Sequence, residues 1–216
     1  MRRIVPLLLG ATGVGFAIIL IAARRKLSSS GAVISYEPQT PSGGGYMTTV
    51  TIPSQLTAEI VNSARKWASA RGIPVSEVLA TILVESSGKP HAWANKEKED
   101  SRGLMQVNVR AWTNLLKQNG MTVDDLWDID KNIQIGTYIY AQYRKKVQDL
   151  LAQAPCDEAR SAPIATLTRL YYKGPAYVEK MIKECGDNLR NLHPFKDAEK
   201  AVANWDNAMA KVSAVA

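Results

Sequence analysis

With 216 residues, 27 lysines and arginines against 20 acidic side chains and a formal charge of +7, the chain has room for one domain plus additional segments. The basic excess does not describe a nucleic-acid binder: Arg2, Arg3, Arg24, Arg25 and Lys26 supply five of the seven charges, residues 27–216 carry +2, and no basic stripe is interleaved with aromatics. Cys156 and Cys185 form no CxxC pair and the only histidines are His91 and His193, so neither a metal centre nor a cofactor is expected.

The chain opens on an unbroken uncharged run of twenty residues, Ile4 to Ala23. At about 1.5 Å per residue such a helix spans about 30 Å, enough to cross the hydrocarbon core of a bilayer. Residues 1–26 are therefore expected to form a transmembrane anchor with basic flanks. A cleaved signal peptide is the competing reading. Its apolar core would be long for that role, and Arg24-Arg25-Lys26 stands where a small-residue cleavage site belongs. Basic residues flank both ends, so the positive-inside rule assigns no orientation. Residues 27–50 are rich in Ser, Gly and Pro and read as a flexible tether with an average reach of about 27 Å.

Residues 51–216 read as an all-α domain, with a small hairpin as the one β feature. Gln55 to Ala70 carries Leu56, Ile60, Ala64 and Trp67 on one stripe and ends at Gly72. Pro74 and Ser76 open a second helix that turns Leu79, Ile82 and Leu83 inward. Residues 88–108 mix Gly, Pro and charge and read as a loop containing the hairpin. Val109 to Gln118 is a helix stopped by Asn119-Gly120, and Asp130 to Leu151 a long one. Glu158 to Tyr172 is expected as one helix, followed by a break at Gly174-Pro175 and another helix to Glu184. The last helix, Pro194 to Val212, places Phe195, Val202, Trp205, Met209 and Val212 close to one face, as core. If the domain is exported, a disulfide between the two cysteines stays open; otherwise they are small buried apolar residues.

Glu85 is the chemically informative residue. At helical spacing it shares a stripe with Val78 and Ile82, and the helix ends immediately after it in Ser86-Ser87-Gly88. A carboxyl there is expected to be partly desolvated, which favours its protonated form and suits it to protonating a glycosidic oxygen. The other reading is a solvated residue at a helix end.

Four segments then occur in a recognisable order. Glu85-Ser86-Ser87-Gly88-Lys89-Pro90 is followed by Gly103-Leu104-Met105-Gln106-Val107, by Asp128 to Gly136 ahead of the long helix, and by Tyr171-Tyr172-Lys173-Gly174-Pro175. Together they resemble the signatures of the soluble-lytic-transglycosylase family of peptidoglycan-cleaving enzymes, which has a goose-type lysozyme-like fold. The second signature is intact. In the first, Gly88 stands for a bulky aromatic and Lys89 for Asn or Asp; in the fourth, Tyr172-Lys173 stands for Asn-Ala.

The resemblance implies a reaction and its residues. Glu85 would protonate the oxygen between N-acetylmuramic acid and N-acetylglucosamine, then take the proton of the muramyl C6 hydroxyl as a 1,6-anhydro ring closes. Ser86 would bond Glu85 or the sugar, or serve the helix end. Met105 and Gln106 would line the glycan groove, and Tyr171 would direct its hydroxyl at Glu85 or the muramyl unit. Asn132 and Gly136 are expected to be structural. A hydrolytic muramidase stays open, because Glu97, Glu99 or Asp100 could supply the second carboxylate that water activation needs. A membrane-tethered peptidoglycan-binding protein without turnover also stays open, on the strength of the substitutions. Expected partners are glycan strands and, through residues 4–23, a lipid bilayer. A bacterial envelope, a secretion apparatus and a phage virion, with their assembly partners, are equally compatible with the sequence.

Overall fold

A 24-residue helix, Ile129–Ala152 (α4), is the spine on which every apolar cluster of the domain is assembled. The structure is a computed structural model. It describes the backbone of residues 33–36 and 48–215 and the side chains of residues 52–215. The element order is β1 (Val33–Tyr36), β2 (Thr48–Thr51), α1 (Ala58–Arg71), α2 (Val75–Ser86), β3 (Trp93–Ala94), β4 (Ser101–Arg102), β5 (Val107–Asn108), α3 (Val109–Gln118), a 3-10 turn at Asp124–Trp127, then α4, α5 (Asp157–Arg160), α6 (Ile164–Lys173), α7 (Pro175–Glu184), α8 (Asp187–Arg190) and α9 (Ala198–Val212).

Local chemistry sets the helix ends. The Thr57 hydroxyl accepts from the Ile60 amide at 3.3 Å and opens α1, three residues later than the apolar pattern indicated. Asn108 caps α3 through the Ala111 amide, and Asp128 caps α4 through the Lys131 amide, each at 2.9 Å. Gly174 and Pro175 open α7, with the proline where its missing amide costs nothing.

Because α4 turns successive residues about its axis, its faces feed three clusters. Ile133 and Tyr140 join α1, α2 and α9 around Leu56, Ile60, Leu79, Ile82 and Trp205. Val147 and Leu151 meet α6 and α7. Ile135 and Ile139 join Val107, Leu116 and Leu126. Asp130, in the first turn of α4, ties α1 to the spine by accepting from Ser63 Oγ, Lys66 Nζ and Trp67 Nε1 at 2.8–2.9 Å. Burial works to raise its pKa, but those three donors outweigh it and hold the carboxyl below its ordinary range.

Two expectations need correction. The helix expected over Glu158 to Tyr172 is two elements, because Ser161, Ala162 and Pro163 interrupt it and Pro163 can give no amide to a continuous helix. The hairpin is a three-stranded antiparallel sheet ordered β3-β4-β5, in which Trp93 pairs with Arg102 and Arg102 with Val107. Cys156 and Cys185, whose relation was open, form a disulfide joining the start of α5 to the end of α7. Within the stretch read as a tether, β1 and β2 pair antiparallel with Val33 opposite Thr51. The expected anchor, Ile4 to Ala23, lies outside the described residues, and among the described residues no helix is long and apolar enough to cross a membrane.

Candidate active site

Glu85 occupies the last turn of α2, where Ser87 leaves the helix in the left-handed conformation with φ +53°. Its side chain is 17 % exposed, so the carboxyl is partly withdrawn from water as the stripe predicted. The niche is not simply apolar, however. Arg169 of α6, 2 % exposed, places Nη1 2.5 Å from Glu85 Oε1. A guanidinium so deeply buried needs an anion, and Glu85 supplies it. The sequence reading missed Arg169. Its signal was a cation three residues before Tyr172 and so on the same side of the helix.

The same face of α6 reaches the second signature. Tyr172 donates its hydroxyl to the Met105 carbonyl at 3.0 Å, and the Arg169 guanidinium lies 5.7 Å from the Tyr172 ring centre. Burial, first, and then the adjacent Glu85 carboxylate push the Tyr172 phenol well above its ordinary pKa, so it acts as a neutral donor.

The Gly103–Val107 turn is held from below by α4. Asn132 is buried and satisfies three backbone groups: its Oδ1 accepts from the Met105 amide at 2.9 Å, while Nδ2 donates to the carbonyls of Arg102 at 3.0 Å and Leu126 at 2.9 Å. Two glycines make this approach feasible. At Gly103, with φ +77°, a Cβ would come within 2.0 Å of Asn132 Nδ2. At Gly136 it would come within 2.4 Å of Met105 Sδ. The spacing from Asn132 to Gly136, one helical turn, thus presents a polar clamp and a hollow to the same turn.

All four signature segments therefore converge. Glu85 touches Arg169, whose neighbour Tyr172 touches Met105, and Met105 rests on Asn132 and Gly136. Residues 62–193 match the family profile described as Transglycosylase SLT domain. The chain belongs to that family. A solved structure, an inactive Glu-to-Gln mutant of lytic transglycosylase Slt from Pseudomonas aeruginosa, is similar in fold, with a TM-score of 0.56 and 18 % identity. The match covers 71 % of this chain and 24 % of that one, so the chain spans about a quarter of that structure's length. No curated protein matches the chain.

Within the SLT domain, several side chains do not stand as the sequence implied. Tyr171 is buried on the far side of α6, where its hydroxyl donates to Glu179 Oε1 at 2.8 Å and its pKa is pushed up to about 12 by burial and then by that bond. It does not point at Glu85; Tyr172 is the tyrosine beside the carboxyl. Met105 is fully buried against Gly136 and lines no open groove. Gln106 sits at φ +47° and spends its amide donor on the carbonyls of Ala92 at 3.0 Å and Gly103 at 2.9 Å, which pins the loop to the sheet. Ser86 donates to the Ile82 carbonyl at 3.0 Å within its own helix, not to Glu85. Gly88, where the family has an aromatic, lies against Gln55, whose carbonyl oxygen would be 2.1 Å from a Cβ there.

The acidic run after Glu85 is bound up in the sheet. Asp100 accepts from Trp93 Nε1 at 2.7 Å and from Arg102 at 2.9 Å and 3.0 Å, and its pKa is lowered chiefly by the Arg102 hydrogen bonds. Glu99 accepts from Asn95, and Glu97 is exposed. At the opposite end of α2 a second buried carboxylate, Glu77, accepts from Tyr140 at 3.0 Å and Arg144 at 3.1 Å. That trio ties α2 to α4.

Proposed function

We propose that the chain is a peptidoglycan lytic transglycosylase, cleaving the β-1,4 bond from N-acetylmuramic acid to N-acetylglucosamine with formation of a 1,6-anhydromuramyl end. The observation that carries this reading is the convergence of the four family segments on one partly exposed carboxyl, Glu85, at a helix end. Glu85 gives its proton to the departing glycosidic oxygen as the bond to muramyl C1 breaks. The muramyl O6 then bonds to C1, and its proton returns to Glu85. No water is consumed, so one carboxyl serves as acid and then as base. Hydrolysis by inversion would require a second carboxylate to activate water. Asp100, one of the candidates, is occupied by Trp93 and Arg102, which favours a structural role for it.

The setting we infer is outside the reducing cytoplasm, with residues 4–23 as a bilayer anchor. The Cys156–Cys185 disulfide supports an oxidising compartment. The anchored domain would open the wall locally, in a bacterial envelope or from a phage virion. Digestion of purified sacculi followed by mass spectrometry tests the reaction. Anhydromuropeptides from the wild type and none from Glu85→Gln support it, whereas equal release by both proteins refutes it.

A further inference from the structure

We propose that Arg169 is the positioning residue of Glu85, fixing one carboxyl oxygen so that the other meets the substrate. The inference rests on the transglycosylase reading and names a part of the site that the family signatures do not contain. Arg169 is 2 % exposed and so is not placed to touch a glycan itself. Among the described residues the guanidinium makes one hydrogen bond, from Nη1 to Glu85 Oε1, while its Nε is buried without a partner. Its Cζ lies 5.7 Å from the Tyr172 ring centre, and Tyr172 is in turn tied to the Met105 carbonyl. The guanidinium is therefore held by its surroundings, not by other anions, and is directed at one oxygen.

The consequence for Glu85 is an asymmetry between its oxygens. Oε1 faces Arg169 inside the domain. Oε2 takes no hydrogen bond among the described residues, yet it is not one of the buried unpartnered atoms. It is the oxygen left on the accessible side. A carboxyl free to rotate at a helix end would sample several rotamers, and a side chain misplaced by about 1 Å can cost on the order of 100-fold in rate. The ion pair removes that freedom. A neutral side chain of similar length at position 169 would not hold the carboxyl. A lysine would supply the charge without the planar fork.

The test compares the full chain with Arg169→Met, Arg169→Lys and Glu85→Gln, using soluble uncrosslinked glycan strands and counting anhydromuramyl ends. Arg169→Met is expected to lower kcat about 100-fold with KM within twofold of the wild type. Arg169→Lys is expected to recover at least a tenth of wild-type kcat. A melting measurement accompanies it. Arg169→Met should lower Tm more in the wild-type background than in the Glu85→Gln background, since only the former leaves a carboxylate unpaired. A folded Arg169→Met with wild-type kcat overturns the inference. So does a rise in KM alone, or an equal Tm loss in both backgrounds. If Arg169→Met fails to fold, a lysine variant that melts like the wild type but recovers less than a tenth of its kcat would equally contradict it. Absence of anhydro ends from the wild type would sink the parent reading instead, and the comparison of Tm losses would still decide whether the pair exists as described.

Discussion

Asn132→Leu removes the α4 side chain that hydrogen-bonds the Gly103–Val107 turn while keeping a similar volume. Three backbone groups lose their partner: the Met105 amide, bonded at 2.9 Å, and the carbonyls of Arg102 and Leu126, bonded at 3.0 Å and 2.9 Å. Each buried polar group left unpaired costs about 1–3 kcal/mol, and the three share one site, so the sum is taken as about 3–6 kcal/mol. Against a domain stability of about 5–15 kcal/mol this is a large fraction. For a domain of this size about 1 kcal/mol corresponds to about 2–4 °C, so Tm should fall by roughly 6–24 °C. The turn should also loosen beneath Tyr172, and release of muropeptides should drop even at temperatures where the variant is folded. Thermal melting by circular dichroism and a muropeptide assay at 20 °C below the variant's Tm (about 20 °C being a margin that keeps it folded) read the two effects separately. A Tm within about 2 °C of the wild type would refute the clamp, since that shift corresponds to less than about 1 kcal/mol.

Gly136→Ala should destabilise despite the better helix propensity of alanine, because the new Cβ would fall 2.4 Å from Met105 Sδ and 2.7 Å from its Cβ. Overpacking of about 1–3 kcal/mol outweighs a propensity gain of about 1 kcal/mol, and a raised Tm would contradict this. Reducing the Cys156–Cys185 bond opens a loop of 29 positions and should remove about 3–4 kcal/mol by loop-closure entropy, read as a lower Tm in reductant and an unchanged one in a Cys156→Ser/Cys185→Ser double variant with and without it. Acid should destabilise the domain in a defined window. Asp125, held at about 2 chiefly by Lys131 and then by Thr122, has a folded pKa below its unfolded value of 3.8, so its contribution is present above about pH 4 and is lost as pH falls toward 2. Asp130 and Asp100 are displaced in the same direction. Asp125→Asn should flatten the melting profile between pH 4 and 2, and an undiminished slope there would count against the assignment. Finally, alkaline carbonate extraction of membranes carrying the full chain should leave it in the pellet if residues 4–23 span the bilayer, whereas release into the supernatant would oppose the anchor.

Much of this architecture was legible because periodic burial and capping agree with each other. Val109–Gln118 is stopped by Asn119-Gly120 in both the sequence and the structure, and the stripe through Leu56, Ile60 and Ala64 is buried. The interruption at Pro163 was readable too, since a proline there gives no amide to a continuous helix. The site was legible in outline and not in detail. Adjacent residues on a helix point about 100° apart, so the pattern alone could not say which of Tyr171 and Tyr172 faces Glu85. The family's tyrosine position is Tyr171, yet the geometry gives the place beside Glu85 to Tyr172. Met105 and Gln106 were expected in the groove because the family resemblance implies that role for them. Their partners, Gly136 for one and the carbonyls of Ala92 and Gly103 for the other, are contacts between distant or turned segments that no local pattern encodes. The pairing of Arg169 with Glu85 spans 84 positions and belongs to the same class.

The central claim is that Glu85 closes an anhydro ring without admitting water to the cleaved bond. Digestion of sacculi in water enriched in oxygen-18 tests it at that bond. The account predicts muramyl ends that are anhydro and carry no label, with no such ends from Glu85→Gln. Labelled reducing ends from the wild type would contradict it.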